Sequence, residues 1–237
     1  LVNILPQNFP TIYLESYLSA RTATLEKHSK NPAAIGSVVG WYYDDRFKFL
    51  AAESMEKGSR MVAIQHGGTY GLHRGCSAEA HETRLSDSFM VWGWADEESP
   101  TCRNLPNPKT SKALSIKPRK EKASEPWPIL FVSTAEPRYL LRFDSMPSGE
   151  RFDDYLDWEL RFLGAIPDRV RQTIRWRTNP ADYGWSIMER VMDKYSDIRF
   201  EHGLSFHQSL SRSRVVVIDN PITTYLETLA ANVPTVL

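Results

Sequence analysis

Apolar positions along this chain switch repeatedly between the period of a helix and the continuous run of a buried strand, most clearly in its second half. Ile129 to Ser133 reads as a strand, Arg151 to Leu163 as a helix, Thr173 to Arg177 as a strand and Trp185 to Tyr195 as a helix. A short strand at Ile198 to Glu201, a short helix at Ser205 to Ser211, the apolar strand Arg214 to Asp219 and a helix at Thr224 to Ala231 follow. Strands that alternate with helices of this length need crossover connections, which predicts a parallel, doubly wound sheet. In the first half the spacing predicts helices over Ile12 to Lys27 and Asp45 to Lys57, the second stopped by Gly58. Strands are predicted at Arg60 to Gln65 and, as strand or turn, at Ser88 to Trp94.

Between the halves the pattern lapses. Residues 98–128 are rich in Pro, Ser and Lys and poor in large apolar side chains, as a linker would be. The expected organisation is therefore one α/β domain over 1–97, a linker over 98–128 and a second domain over 129–237. The chain opens inside an apolar, proline-punctuated phrase and closes on VPTVL, which reads as an unfinished strand, so both ends are expected to be truncated.

Length fits that division, since 237 residues accommodate two domains of about 100 residues each. Lys plus Arg and Asp plus Glu balance at 29 each, which disfavours a nucleic-acid partner held through its phosphates. No run approaches the roughly 20 apolar residues that span a bilayer, and a cytoplasmic protein is expected. Cys76 and Cys102 form no CxxC pair, and neither a disulfide framework nor a metal site is indicated. The lysines at 117, 120 and 122 read as a solvated linker rather than a membrane patch.

In open α/β sheets ligands sit outside the carboxyl ends of the strands, so the residues following each strand carry the candidate chemistry. After the strand at 60–65 comes His66-Gly67-Gly68. The two glycines would let backbone N–H groups approach a phosphate, and the imidazole at the strand tip could act as a general base. A tight turn around a hydrogen-bonded histidine is the competing reading. After 214–219 comes Asp219-Asn220-Pro221-Ile222-Thr223-Thr224, where a helix N-terminus with two hydroxyls offers an anion site. The same residues fit a capping box from Thr224 to Glu227, and spacing alone favours the cap. After 129–133 the chain carries Arg138, able to hold a pyrophosphate bidentately if it is not simply a solvated loop arginine. Arg175 and Arg177 share one face of their strand, with Trp176 turned toward the core. His73, His81, His202 and His207 show no paired-ligand spacing and read as loop or surface residues.

Several phrases taken together resemble a known group: QHGGTYG, ETRLSDSFMVWGW, RTNPADYGW and SRVVVIDNPITTYLETLAANVPT. They resemble a family of surface-carbohydrate and O-antigen cluster transferases, similar to capsule-polysaccharide Kdo transferases and CDP-glycerol glycerophosphotransferases of GT-B architecture. The resemblance implies two Rossmann-like domains and inverting transfer, without a bound metal or other cofactor, in a cleft between them. Its implied substrates are a nucleotide-sugar donor and a glycan or lipid-linked glycan acceptor. It places the protein in the cytoplasm, with peripheral association at the inner face of the cytoplasmic membrane as the variant of that reading. His66 falls on the histidine of the family's H-G motif, and Gly67 and Gly68 follow it. Thr223, Thr224 and Glu227 fall on the segment that receives the donor's phosphates and ribose, and Arg138 matches an arginine after the first strand of the second domain. Arg177 leads into Asn179-Pro180, where relatives often carry His-Pro. A sugar-nucleotide epimerase of the same fold and a non-catalytic scaffold in a polysaccharide-assembly complex are the alternative functions.

Overall fold

Short apolar runs, each stopped by a polar turn, order into two parallel sheets. The computed structural model describes residues 5–28, 30–95, 97–116, 127–139 and 147–237. Its two units are Leu1–Asn107 and Pro108–Leu237.

In the first unit, α1 (Tyr17–Leu25) is followed by β1 (Ala34–Ser37), α2 (Asp45–Glu56) and β2 (Arg60–Ile64), then α3 (Ser77–Leu85), β3 (Ser88–Val91) and β4 (Cys102–Asn104). The sheet runs β1-β2-β3-β4 with every pair parallel. Helix α2 starts where Asp44 accepts from the N–H groups of Arg46 and Phe47 at 3.0 and 3.1 Å, a side-chain N-cap. It stops before Gly58, whose φ of 88° is the left-handed conformation that glycine adopts without strain. Met61 and Ala63 alternate inward from β2, each 1% exposed, to meet Phe89, Val91 and Trp41.

The second unit contains α4 (Pro108–Ala113), β5 (Trp127–Val132), α5 (Phe152–Ala165), β6 (Ile174–Arg177), α6 (Ile187–Lys194), β7 (Arg199–Phe200), α7 (Phe206–Arg212), β8 (Ser213–Ile218), α8 (Thr223–Ala230) and β9 (Thr235–Val236). Its sheet order is β7-β6-β5-β8-β9, again all parallel. The chain builds outward from β5 to one edge and then returns to build outward on the other side. The reversal between β5 and β8 is the switch point of a doubly wound sheet. Trp176 lies fully buried at the centre, its ring edge-on to Phe131 at 4.8 Å and its indole N–H donating to Ser133 Oγ at 2.6 Å.

Both sheets match the expected α/β class. The predicted helix at Ile12 to Lys27 is divided into a 3-10 turn at Thr11–Tyr13 and α1. Regular structure extends into the stretch read as linker, because β4 belongs to the first sheet and α4 packs Ala113 against the second core beside α8. A three-residue strand and a six-residue helix hold too few apolar positions to reveal a period. Lys117, Lys120 and Lys122 lie outside the described residues.

Helix α5 separates its faces sharply: Leu163 is fully buried, whereas Trp158 is 68% exposed. Leu163→Ala should destabilise the second unit by about 2–5 kcal/mol, and Trp158→Ala by less than about 1 kcal/mol. Urea midpoints followed by circular dichroism will separate the two; equal losses would contradict this assignment of faces.

Candidate functional site

In the first unit the polar groups gather where β2 ends. Gln65 is 3% exposed and fixes the turn that follows: its Nε2 donates to the Gly67 carbonyl at 2.7 Å. Its Oε1 accepts from the N–H of Trp92 at 2.9 Å and from the indole of Trp94 at 2.8 Å. One neutral amide thus ties the exits of β2 and β3 together. Gly67 has open space among the described residues where a side chain would project. Gly71, with φ of 73°, is confined differently, because a Cβ there would lie 2.5 Å from the Trp94 ring.

His66, whose side chain is 31% exposed, stands at this strand tip above Glu82 of α3, whose side chain is completely buried. The Tyr70 hydroxyl meets His66 Nδ1 at 2.7 Å, and Glu82 Oε1 lies 3.9 Å from the same nitrogen. Glu82 Oε1 accepts from the Trp41 indole at 3.1 Å, while its Oε2 has no hydrogen-bond partner among the described residues. Burial pushes the Glu82 carboxyl above the usual range. Burial, with Glu82 beside them, also raises the phenols of Tyr42 and Tyr70 far above theirs, so both stay uncharged. Both readings of His66 hold locally, since it is a hydrogen-bonded histidine in a turn and its imidazole is also partly open to solvent. Glu82 lies in the polar phrase HETRLSD, and its role becomes visible only when α3 turns that position inward.

In the second unit the ends of β5 and β8 flank the switch point. Asp219, directly after β8, accepts from Thr134 N–H at 2.7 Å and from Thr134 Oγ1 at 3.2 Å. Tyr155 of α5 also contacts Asp219 Oδ2, and its oxygen lies 2.8 Å from Glu159 Oε1. A phenol has a single proton. With that proton given to Asp219, the contact to Glu159 must be donated by a protonated Glu159 carboxyl. Burial, and then the Asp219 charge, raise Glu159 well above the ordinary carboxylate range, in agreement with that count.

Thr223 and Thr224 occupy the first turn of α8, whose N-cap, Ile222, supplies no side-chain hydrogen bond. The capping box expected from Thr224 to Glu227 is therefore absent, because the N-cap is Ile222, two residues before Thr224, and Glu227 points elsewhere. Its Oε2 lies 2.7 Å from Nε2 of His207 on α7. His207, expected at the surface, is a partner of the candidate donor ligand. A capping box does form at α7, between Ser205 and Gln208. Arg138 is exposed with its guanidinium over the Trp185 ring at 5.6 Å. Arg177, by contrast, is committed within the unit: it pairs with the buried Glu201 and donates to the Leu204 carbonyl at 3.0 Å. That pairing engages Arg177 Nη1 within the unit and gives the buried Glu201 a cation, which strand alternation could not foresee. Among the described residues no three His, Cys, Asp or Glu side chains are placed to hold a metal ion, and no helix is long and apolar enough to cross a membrane.

Because the folded state raises the Glu159 pKa, that carboxyl contributes stability below its unfolded value of about 4.3, and the contribution is lost as pH rises toward the folded value. Wild type should lose stability relative to Glu159→Gln across that window, by up to about tenfold in the unfolding constant per pH unit. Thermal melts of both proteins at a series of pH values will check this; parallel curves would show that Glu159 is ionised in the folded protein.

No curated protein matches the chain. Among solved structures it is similar to a Listeria monocytogenes protein described as a UDP-N-acetylglucosamine 2-epimerase, with 12% identity, a TM-score of 0.48, and coverage of 91% of this chain and 59% of that one. The chain thus spans less than two thirds of that protein's length. The pattern that defines the LIC12162 family transferase matches residues 1–237, and the chain belongs to that family.

Proposed function

We propose that this transferase moves a sugar from a nucleotide-activated donor to a glycan or lipid-linked glycan acceptor in the synthesis of a bacterial surface polysaccharide, on the cytoplasmic side of the membrane. The observation that carries this reading is the uncapped N-terminus of α8, directly after the switch-point strand β8. Unpaired N–H groups and the helix dipole at such a terminus attract phosphate oxygens. Asp219 already occupies the N–H of Thr134 and carries negative charge, so the donor's phosphates are directed away from β5 and onto Thr223 and Thr224. Arg138, exposed after β5, supplies a cation for the departing nucleotide. Glu227 is the acidic group available to the ribose hydroxyls, with His207 as its partner in the free protein.

The transfer itself needs an acceptor oxygen that loses its proton as the glycosyl bond to the nucleotide breaks. His66 takes that proton as general base, and inversion at the sugar carbon follows from a single displacement. The chemistry assigned to these side chains is proton transfer and charge stabilisation, with no metal among the groups invoked.

Two experiments test the two halves of the reading. Calorimetric titration with CMP, CDP, UDP and GDP should show binding of one nucleotide. Thr223→Pro should weaken it by about tenfold. Proline at the first helical position removes one N–H while preserving the helix, and the extended Ile222 before it suits that replacement. Failure of every nucleotide to bind would remove the donor site. His66→Ala should lower turnover by about a hundred- to ten-thousand-fold with donor affinity nearly unchanged; unaltered turnover would end the assignment of the base.

A further inference from the structure

Glu82 is an unusual residue to find where it is. A carboxylate side chain with no exposure normally faces a fixed cation or a full set of donors. Glu82 instead has neutral neighbours, the Trp41 indole and the Tyr42 and Tyr70 phenols, one oxygen without a hydrogen-bond partner among the described residues, and an imidazole 3.9 Å away. Retaining an acid there has a cost that packing alone does not explain, since a glutamine would fill the same space and accept the same bond from Trp41.

We propose that Glu82 is the counter-charge and positioning residue of His66: its buried carboxylate makes the imidazole more basic, while Tyr70 holds the ring by Nδ1. The inference rests on the reading of His66 as the transferase base. With Nδ1–H donated to the Tyr70 oxygen and the Tyr70 proton directed to Glu82, Nε2 is the unprotonated nitrogen that takes up the acceptor's proton. The imidazolium formed at that moment is stabilised by Glu82 beneath it, in surroundings that screen poorly because Glu82 is fully buried. The two tyrosines facing this pair do not supply the charge. Tyr42 lies edge-on to His66 at 6.2 Å and remains neutral, as Tyr70 does. From α3 and the turn before it, His81 lies against Tyr42 at 5.8 Å, Cys76 stands at the N-cap, and Glu79 accepts from Gly71 N–H at 2.7 Å. Glu82 itself lies in contact range of the His66 ring, 3.9 Å from Nδ1.

The test is a nuclear magnetic resonance titration of the His66 imidazole in the full chain without substrate, assigned by its loss in His66→Gln. Glu82→Gln should lower the His66 midpoint by about one pH unit, a tenfold change in acidity. Tyr70→Phe should change the tautomer signature of the ring nitrogens and move the midpoint less. An unmoved midpoint in a folded Glu82→Gln protein overturns the proposal. Should that variant fail to fold, wild type alone still decides, because coupled groups titrate in two steps and the His66 signal must show a second, acidic inflection from Glu82. A single-step curve overturns the proposal. Turnover then separates the two ideas. Coupling seen in the titration, with His66→Ala fully active, retires the base but leaves the pair. A dead His66→Ala enzyme whose His66 shows no coupling retires Glu82 and keeps the base. Where both hold, the acid limb of the kcat/KM profile should shift in Glu82→Gln by the same interval as the titration.

Discussion

A parallel strand cannot be joined to its neighbour by a tight turn; the chain must cross over and start again from the same end. In each unit of this protein that constraint gathers every exit from a strand along one edge of the sheet, so residues far apart in sequence meet there. Thr134 and Asp219 are bonded although 85 positions separate them. Gln65 reaches Trp92 and Trp94 for the same reason, as the exits of β2 and β3 are neighbours once those strands pair. The apolar interiors of the sheets contribute stability, and the chemistry accumulates where the hydrogen-bond ladder ends.

Both edges contain a carboxyl removed from water, and each is accommodated in a different way. Glu159 meets Tyr155 at the end of a network that can balance a proton count: the phenol proton given to Asp219, and Asp219 also accepting from the Thr134 amide, leave a neutral acid as the consistent state. Such a closed network rigidifies the switch point and offers little to a ligand. Glu82 is less completely satisfied, and its nearest titratable neighbour is partly exposed. A buried acid coupled to an accessible base is the arrangement that functional sites use to tune proton affinity, whereas a closed network is the commoner structural solution. The contrast distinguishes the two clusters more clearly than their composition does.

Much of this architecture was legible in the order of apolar runs. The strands at β2, β5, β6 and β8 and the helices α2, α5 and α8 are long or apolar enough to impose their period, and each forms within a residue or two of expectation. What escaped was short or polar. Helix α3, SAEAHETRL, presents a surface-like composition because the residue it buries is a glutamate, so periodicity had no apolar signal to follow. The candidate site was legible at its strand tips, His66 and Thr223-Thr224, since the location of strand ends follows from the pattern. Side-chain partners were not. The pairing of Arg177 with Glu201 and of Glu227 with His207 depends on tertiary contacts between residues 20 or more positions apart.

The scaffold around His66 bears on how its chemistry can vary. Gln65 holds the turn with three hydrogen bonds and no charge, so geometry and electrostatics at this strand tip are supplied by different residues. Loss of Gln65 would leave the donors of Trp92 and Trp94, just beyond β3, unsatisfied and move the imidazole, changing position and charge environment together. Loss of the Glu82 charge by glutamine would leave the turn in place and alter proton affinity alone. A base whose placement and basicity are separately controlled can be tuned to a different acceptor hydroxyl by substitution on α3, without disturbing the strand that carries it. That separation follows from the fold, because the scaffold lies along the sheet edge while the counter-charge arrives from the crossover helix.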